Sequence, residues 1–136
     1  MNALRILFNS DRFNLSKVEQ HFINPCCFGE DVAAWLRQKL TERRIETRKA
    51  YQEDWGWELP VKSGDHSYYL CVSGNPEGSN VNPNDGEWGI IVEKKRSILQ
   101  RMTRKGKITE NDPLAQAVYE MLSSERSIRD VRFEGR

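Results

Sequence analysis

The chain is short of the residues that carry most enzymatic chemistry. Its 136 residues include two histidines and three cysteines. No Gly-x-Ser-x-Gly elbow and no phosphate-cradling glycine loop with a following Gly-Lys-Ser/Thr is present. Two histidines leave little acid–base capacity near neutral pH, so nucleophile triads have few candidate partners. Neither a C-x-x-C nor an H-x-x-x-H pair occurs, which removes the spaced ligands that a structural zinc site needs. No metal or cofactor is therefore expected. Long apolar runs are missing too: no stretch approaches the roughly 18–20 residues of a membrane span. "MNALRILF" is broken by Arg5 and is too short for the apolar region of a secretory signal. An odd cysteine count with two neighbours, Cys26 and Cys27, makes a poor disulfide framework. Adjacent cysteines bridge only with strain, so reduced thiols and a cytoplasmic location are the expectation.

What the chain does have is the make-up of one ordinary globular unit. Hydrophobic residues at 38% and charged residues at 30% suffice to bury a core without staples. A single domain over 1–136 is expected, with 1–12 as a candidate for a poorly ordered N-terminal segment. The net charge of +1 gives no global attraction to nucleic acid or anionic lipid. Its distribution is uneven. Tyr51 to Glu93 holds eight acids and one base, whereas Lys94 to Lys107 holds seven bases and no acid.

Periodicity orders the elements. "RFNLSKVEQHFIN" is β-prone, with Val18, Phe22 and Ile23 as anchors. In "CFGEDVAAWLRQKLTERR", Phe28, Val32, Trp35, Leu36 and Leu40 recur at helical spacing. Glu30 and Asp31 at its start and Arg37, Lys39, Arg43 and Arg44 towards its end suit the helix dipole. The period then drops to two: "IETRKAY", "WGWELPV", "HSYYLCVS" and "EWGIIVEK" read as strands, and "KSGD" as a hairpin turn. "RSILQRM" predicts a short helix with Ile98, Leu99 and Met102 inward. "ENDPLAQAVYEMLSS" predicts a longer one, capped by Asp112 with Pro113 at its first position. "SIRDVRFE" closes the chain as a strand. The order β-α-β-β-β-β-α-α-β implies an α+β two-layer sandwich: a mostly antiparallel sheet with its helices packed on one face.

Four stretches invite a functional reading. Cys26 or Cys27, near a helix start, is a candidate thiolate nucleophile with His21 or His66 as its base, Cys27 and His21 being the favoured pair, although Glu30 and Asp31 oppose thiolate formation. Asp85, Glu93 and Lys95 mimic a nuclease triad, but an unbroken strand would hold the two carboxylates about 26 Å apart. The basic run with Lys94, Lys95, Arg101 and Arg104 suits phosphates, yet it contains no aromatic residue on which bases could stack. The twelve-residue stretch "GNPEGSNVNPND", with Asn80, Asn82 and Asn84, has the length of a binding loop. In "QEDWGWELPV", alternation puts Trp55, Trp57, Leu59 and Val61 on a core face and Glu58 on the far face as a possible contact. Gly56 then marks a close approach or a bulge. Glu53 and Asp54 are expected to cap a turn or to pair with Arg129 or Arg132.

Taken together, "FINPCCFGEDVAAWL", "QEDWGWELPV", "GEWGIIVEKKR" and "SIRDVRF" resemble a family of small bacterial proteins that has no established activity. That family shares N-P-x-C-F-G-[DE]-D, E-D-[FW]-G-W, G-x-W and I-R-D-V-R patterns, and the likeness runs from about Phe13 to Phe133. It marks Asn24, Pro25, Cys27, Phe28, Gly29, Asp31, Trp35, Glu53, Asp54, Gly56, Trp57, Trp88, Arg129 and Asp130, while Cys26 falls where the pattern is loose. The resemblance implies a bacterial cytoplasmic protein and supplies no mechanism.

The expectation is a non-catalytic protein-binding domain, immunity- or inhibitor-like, working through Glu58 on the sheet face or through the asparagine loop; a homodimer is open as well. The alternatives are nucleic-acid association through Lys94, Lys95, Arg101 and Arg104, and a thiol-dependent or hydrolytic enzyme around Cys27.

Overall fold

The computed structural model describes residues 2–76, 82–103 and 107–135. The elements in chain order are β1 (Ala3–Ser10), α1 (Glu30–Glu42), β2 (Glu46–Thr47), β3 (Tyr51–Glu53), β4 (Gly56–Ser63), β5 (His66–Pro76), β6 (Gly86–Lys94), α2 (Ile98–Thr103), α3 (Pro113–Ser123) and β7 (Ile128–Phe133). The strands form one sheet in the order β2-β4-β5-β6-β1-β7, with β3 also paired to β4. Every strand pairing is antiparallel. The molecule is thus an α+β two-layer structure, as the element order implied.

One face of the sheet is the core. Ile6 and Phe8, Leu59 and Val61, Tyr68, Leu70 and Val72, and Trp88, Ile90 and Val92 point to it at period two. Val32, Trp35, Leu36 and Leu40 of α1 and Leu114, Val118, Met121 and Leu122 of α3 join the same cluster, so both helices cover the same face. α3 starts as expected: the Asp112 carboxylate accepts from the Leu114 and Ala115 N–H groups, and Pro113 is the first helical residue.

Four expectations are corrected. Residues 3–10 are not loose; they form a central strand, held by β6 on one side and β7 on the other, with Ile6 and Phe8 fully buried. The β-prone stretch 12–24 forms no strand. It lies over the sheet as an irregular segment that drops Phe13 and Leu15 into the core and leaves Val18 and Ile23 exposed. "IETRKAY" is split into β2 and β3. Finally, Leu99 and Met102 of α2 are exposed rather than inward. Ile108, beyond α2, is buried in the core with its N–H donated to the Asn2 side chain, while the side chain of Ile98 lies outside the described residues.

Candidate functional site

The two most distinctive stretches, "NPCCFGED" and "QEDWGW", meet in space. Asn24 to Cys27 is a turn closed by the Cys27 N–H on the Asn24 carbonyl, with Pro25 pre-setting its second position. The amide of Gln52 in β3 fixes this turn from both sides. Its Oε1 accepts from Ile23 N (2.6 Å) and Asn24 N (2.9 Å), and its Nε2 donates to Asn24 O (2.8 Å) and Cys27 O (3.0 Å). Asn24 Nδ2 donates to the Glu53 carbonyl, and the Trp57 indole N–H donates to the Cys27 carbonyl at 3.1 Å. The two motif glycines converge on Val72 of β5. A Cβ on Gly56 would lie 2.0 Å from the Val72 carbonyl oxygen, and one on Gly29 3.2 Å from the Val72 side chain. Only glycine permits the hairpin and the loop to come this close. Below the loop, Phe22 packs edge-on against Phe28 and Trp57.

The outer surface of this junction is apolar with an acidic rim. Trp55 sits at the β3–β4 turn with 44% of its surface exposed, Ile23 is 79% exposed, and Cys26 is exposed beside them. Trp55 is therefore not the core anchor that strict alternation suggested. The strand begins at Gly56, so the alternation starts one residue after Trp55, and Trp57 alone of the pair is buried. Exposed Asp54 and half-buried Glu53 flank the turn. Neither pairs with the C-terminal arginines: Arg129 binds Asp85 and Arg132 binds Glu87.

The thiol reading loses its geometry here. Cys26 and Cys27 are joined in a disulfide rather than being free thiols, Cys27 is buried, and the Asp54 carbonyl lies against both sulfurs. The bridge joins neighbouring residues, which the sequence argument from adjacency did not anticipate. His21 directs Nε2 at the Glu30 carboxylate (2.6 Å), and no hydrogen bond joins it to Cys27 among the described residues. Nor is there any group of three potential metal ligands among the described residues.

The remaining candidates scatter. Lys94 is not a contact residue on the surface. Its ammonium forms a buried ion pair with Asp112 at 3.0 Å, the side chains being 13% and 2% exposed, and the Tyr68 hydroxyl donates to the same carboxylate. Asn84 accepts from Leu15 N and Ser16 Oγ, and Asn82 from Asn84 N, so both brace the irregular segment and its turn. Asn80, Arg104 and the side chain of Arg101 lie outside the described residues. Glu58 lies on the sheet face opposite the helices, across from Cys71. Burial raises its carboxyl above the ordinary range, and burial together with Glu58 and Glu93 pushes the Cys71 thiol up to about 12.

Lys95 falls in company the sequence did not disclose. It stands 4.9 Å over the Tyr69 ring, beside a cleft of about 320 Å³ that Arg48, Tyr51, Pro60 and Lys62 also line. Pro60 was the available signal, because a proline inside a strand marks a broken ladder. Gln52 offered none, since its four partners lie on a loop more than twenty residues away.

No protein-family model matches the chain, and no curated protein and no solved structure matches it. No helix among the described residues is long and apolar enough to cross a membrane.

Proposed function

We propose that this chain is a small non-catalytic binding protein, with another protein as its partner and an immunity- or inhibitor-like role. The observation that carries the reading is Trp55, an exposed indole on a turn closed by the Glu53–Gly56 pairing, with the Glu53 carbonyl accepting from Asn24 Nδ2 and the flanking Gln52 and Trp57 side chains donating to the Cys27 carbonyl. Tryptophans exposed in this way are the commonest energetic anchors of protein interfaces. A turn that is already fixed loses little conformational entropy on association. Ile23 extends the apolar surface, and Glu53 and Asp54 give it an acidic border. The partner that fits has an apolar pocket ringed by lysine or arginine.

The test compares immobilised wild-type protein with Trp55→Ala as baits in lysate of the host, followed by calorimetry on the captured partner. Truncating a tryptophan anchor weakens binding by roughly 30-fold or more. Trp55→Ala should keep the wild-type melting temperature, because the ring is half exposed, and lose the partner. Equal capture by both baits, or a wild-type bait no richer than blank resin, would sink the reading.

A further inference from the structure

A second site lies where the sheet edge is broken. β4 pairs with β2 at Val61–Thr47 and with β3 at Glu58–Tyr51, so the edge chain carries one residue more than β4 between these two points. Pro60 has no N–H to offer a neighbour, and the ladder lapses there into a bulge held by Arg48 N on the Pro60 carbonyl. The bulge opens the cleft of about 320 Å³, at the lower end of the range for small-ligand sites. Its walls are unlike those of the neighbouring sheet. Tyr51 is 40% exposed, Tyr69 lies beyond Pro60 on β5, and Arg48, Lys62 and Lys95 surround them. None of these three cations takes part in an ion pair among the described residues. Lys95 is positioned instead by its backbone N–H on the Ser67 carbonyl and by the face of Tyr69.

We infer that this cleft binds a nucleotide unit, its base stacked on Tyr51 and its phosphate held by Arg48, Lys62 and Lys95. A planar ring beside converging cations is the combination that proteins use to hold unpaired bases and their phosphates. The basic run of the sequence lacks an aromatic platform; the fold supplies one from β3 and β5. The nearby acids fix the orientation. Glu46 stands opposite Lys62, while Glu58 pairs with Tyr51 and Glu93 with Tyr69 on the side towards β6. Glu58 and Glu93 therefore turn the phosphate towards Arg48 and the outer end of the cleft, where Glu46 is the one acid among the lining residues. A base within a duplex cannot stack on Tyr51, so the ligand is a single strand or a free nucleotide.

The experiment is fluorescence anisotropy at low salt with a fluorescein-labelled, mixed-sequence RNA strand of about 12 nucleotides. The same strand as a duplex, AMP and inorganic pyrophosphate serve as competitors. The strand should bind, and unlabelled duplex should compete poorly. Tyr51→Ala should weaken binding about tenfold, and Tyr51→Phe should restore it. Lys62→Gln and Lys95→Gln should each weaken it and lower the slope of log affinity against log salt by about one, with Lys17→Gln unchanged. AMP competing as well as the strand would assign the site to free nucleotides, and AMP competing poorly would assign it to nucleic acid. Both results support the site. Absence of binding by the strand, together with no shift of the melting temperature by millimolar AMP, overturns it. So does equal displacement by pyrophosphate with Tyr51→Ala binding like wild type, which would leave only charge. All the substituted side chains lie at the surface, and melting curves confirm that the variants are folded.

Discussion

Glu58 and Cys71 face each other across β4 and β5 on the sheet face opposite the helices. The Cys71 thiol points at Glu58 Oε1, 3.7 Å away. Burial leads in raising both groups, and Glu93 adds its charge to the same side; Glu58 makes ionisation of Cys71 harder still, whereas the hydrogen bond from the thiol eases that of Glu58 without offsetting the burial. With its thiol pushed up to about 12, Cys71 stays protonated at neutral pH and is not a nucleophile. Glu58 is the more informative residue because its shift links stability to pH. The folded state holds the Glu58 proton more tightly than the unfolded chain does. This group's contribution is therefore complete below the ordinary value of 4.5 and is lost as pH rises through the higher folded value. Glu58→Gln removes the titration while keeping an acceptor for Cys71. The variant should match the wild type in chemical denaturation below pH 4.5, gain stability over it as pH rises, and hold a constant advantage near neutrality. A wild type that is the more stable of the two at neutral pH would show that the carboxylate has a favourable partner in solution.

At the scale of elements, Asp112 shows how far a local signal reaches. The pair Asp112–Pro113 marks a helix start, and the cap hydrogen bonds to Leu114 and Ala115 follow from that signal alone. α1 and the strands β4, β5 and β6 were legible for the same reason, since their periodicity lies within a short window. The second task of Asp112 was not legible. Its other oxygen receives the Lys94 ammonium and the Tyr68 hydroxyl, from residues 18 and 44 positions away that only the tertiary fold brings in. The junction of "NPCCFGED" with "QEDWGW" was hidden in the same way: each stretch was noticed, but nothing in either announces that Gln52 ties one to the other. Loss of the Asp112 cap alone costs about 1 kcal/mol. An ammonium left buried without its partner costs a further 3–5 kcal/mol, by order of magnitude. Asp112→Ala should therefore lower the unfolding free energy by about 4 kcal/mol or more in urea titration, and Lys94→Met in the same chain should recover most of what exceeds the cap. A single-variant loss near 1 kcal/mol would mean that Lys94 reaches water once its partner is gone.

The molecule as a whole depends on pairings that join its two ends. β1 lies between β6 and β7, with Ile6 opposite Ile90 on one side and Phe133 on the other. In "ALRILFNS" three apolar residues are consecutive, because Leu7 occupies the helix-free face while Ile6 and Phe8 fill the core. That run blurs the period of two, and the partners that would identify it as a strand lie some eighty to a hundred and thirty residues along the chain. The charge asymmetry of the sequence is likewise resolved only at this scale. Arginines of β7 reach Asp85 and Glu87 of the acidic half, while Lys94 of the basic run turns inward to Asp112. Because closure of the sheet waits on these distant contacts, β1 cannot be dispensed with in the way a loose N-terminal segment could. Removing residues 1–10 would strip two strands of their hydrogen-bond partner and leave the sites of Ile6 and Phe8 empty, with open edges prone to association. The truncated chain should collect in the insoluble fraction. A synthetic peptide covering residues 1–12, added during refolding, should restore soluble protein with the wild-type circular dichroism spectrum. A truncated chain that is soluble and melts cooperatively on its own would instead place β1 outside the folding unit.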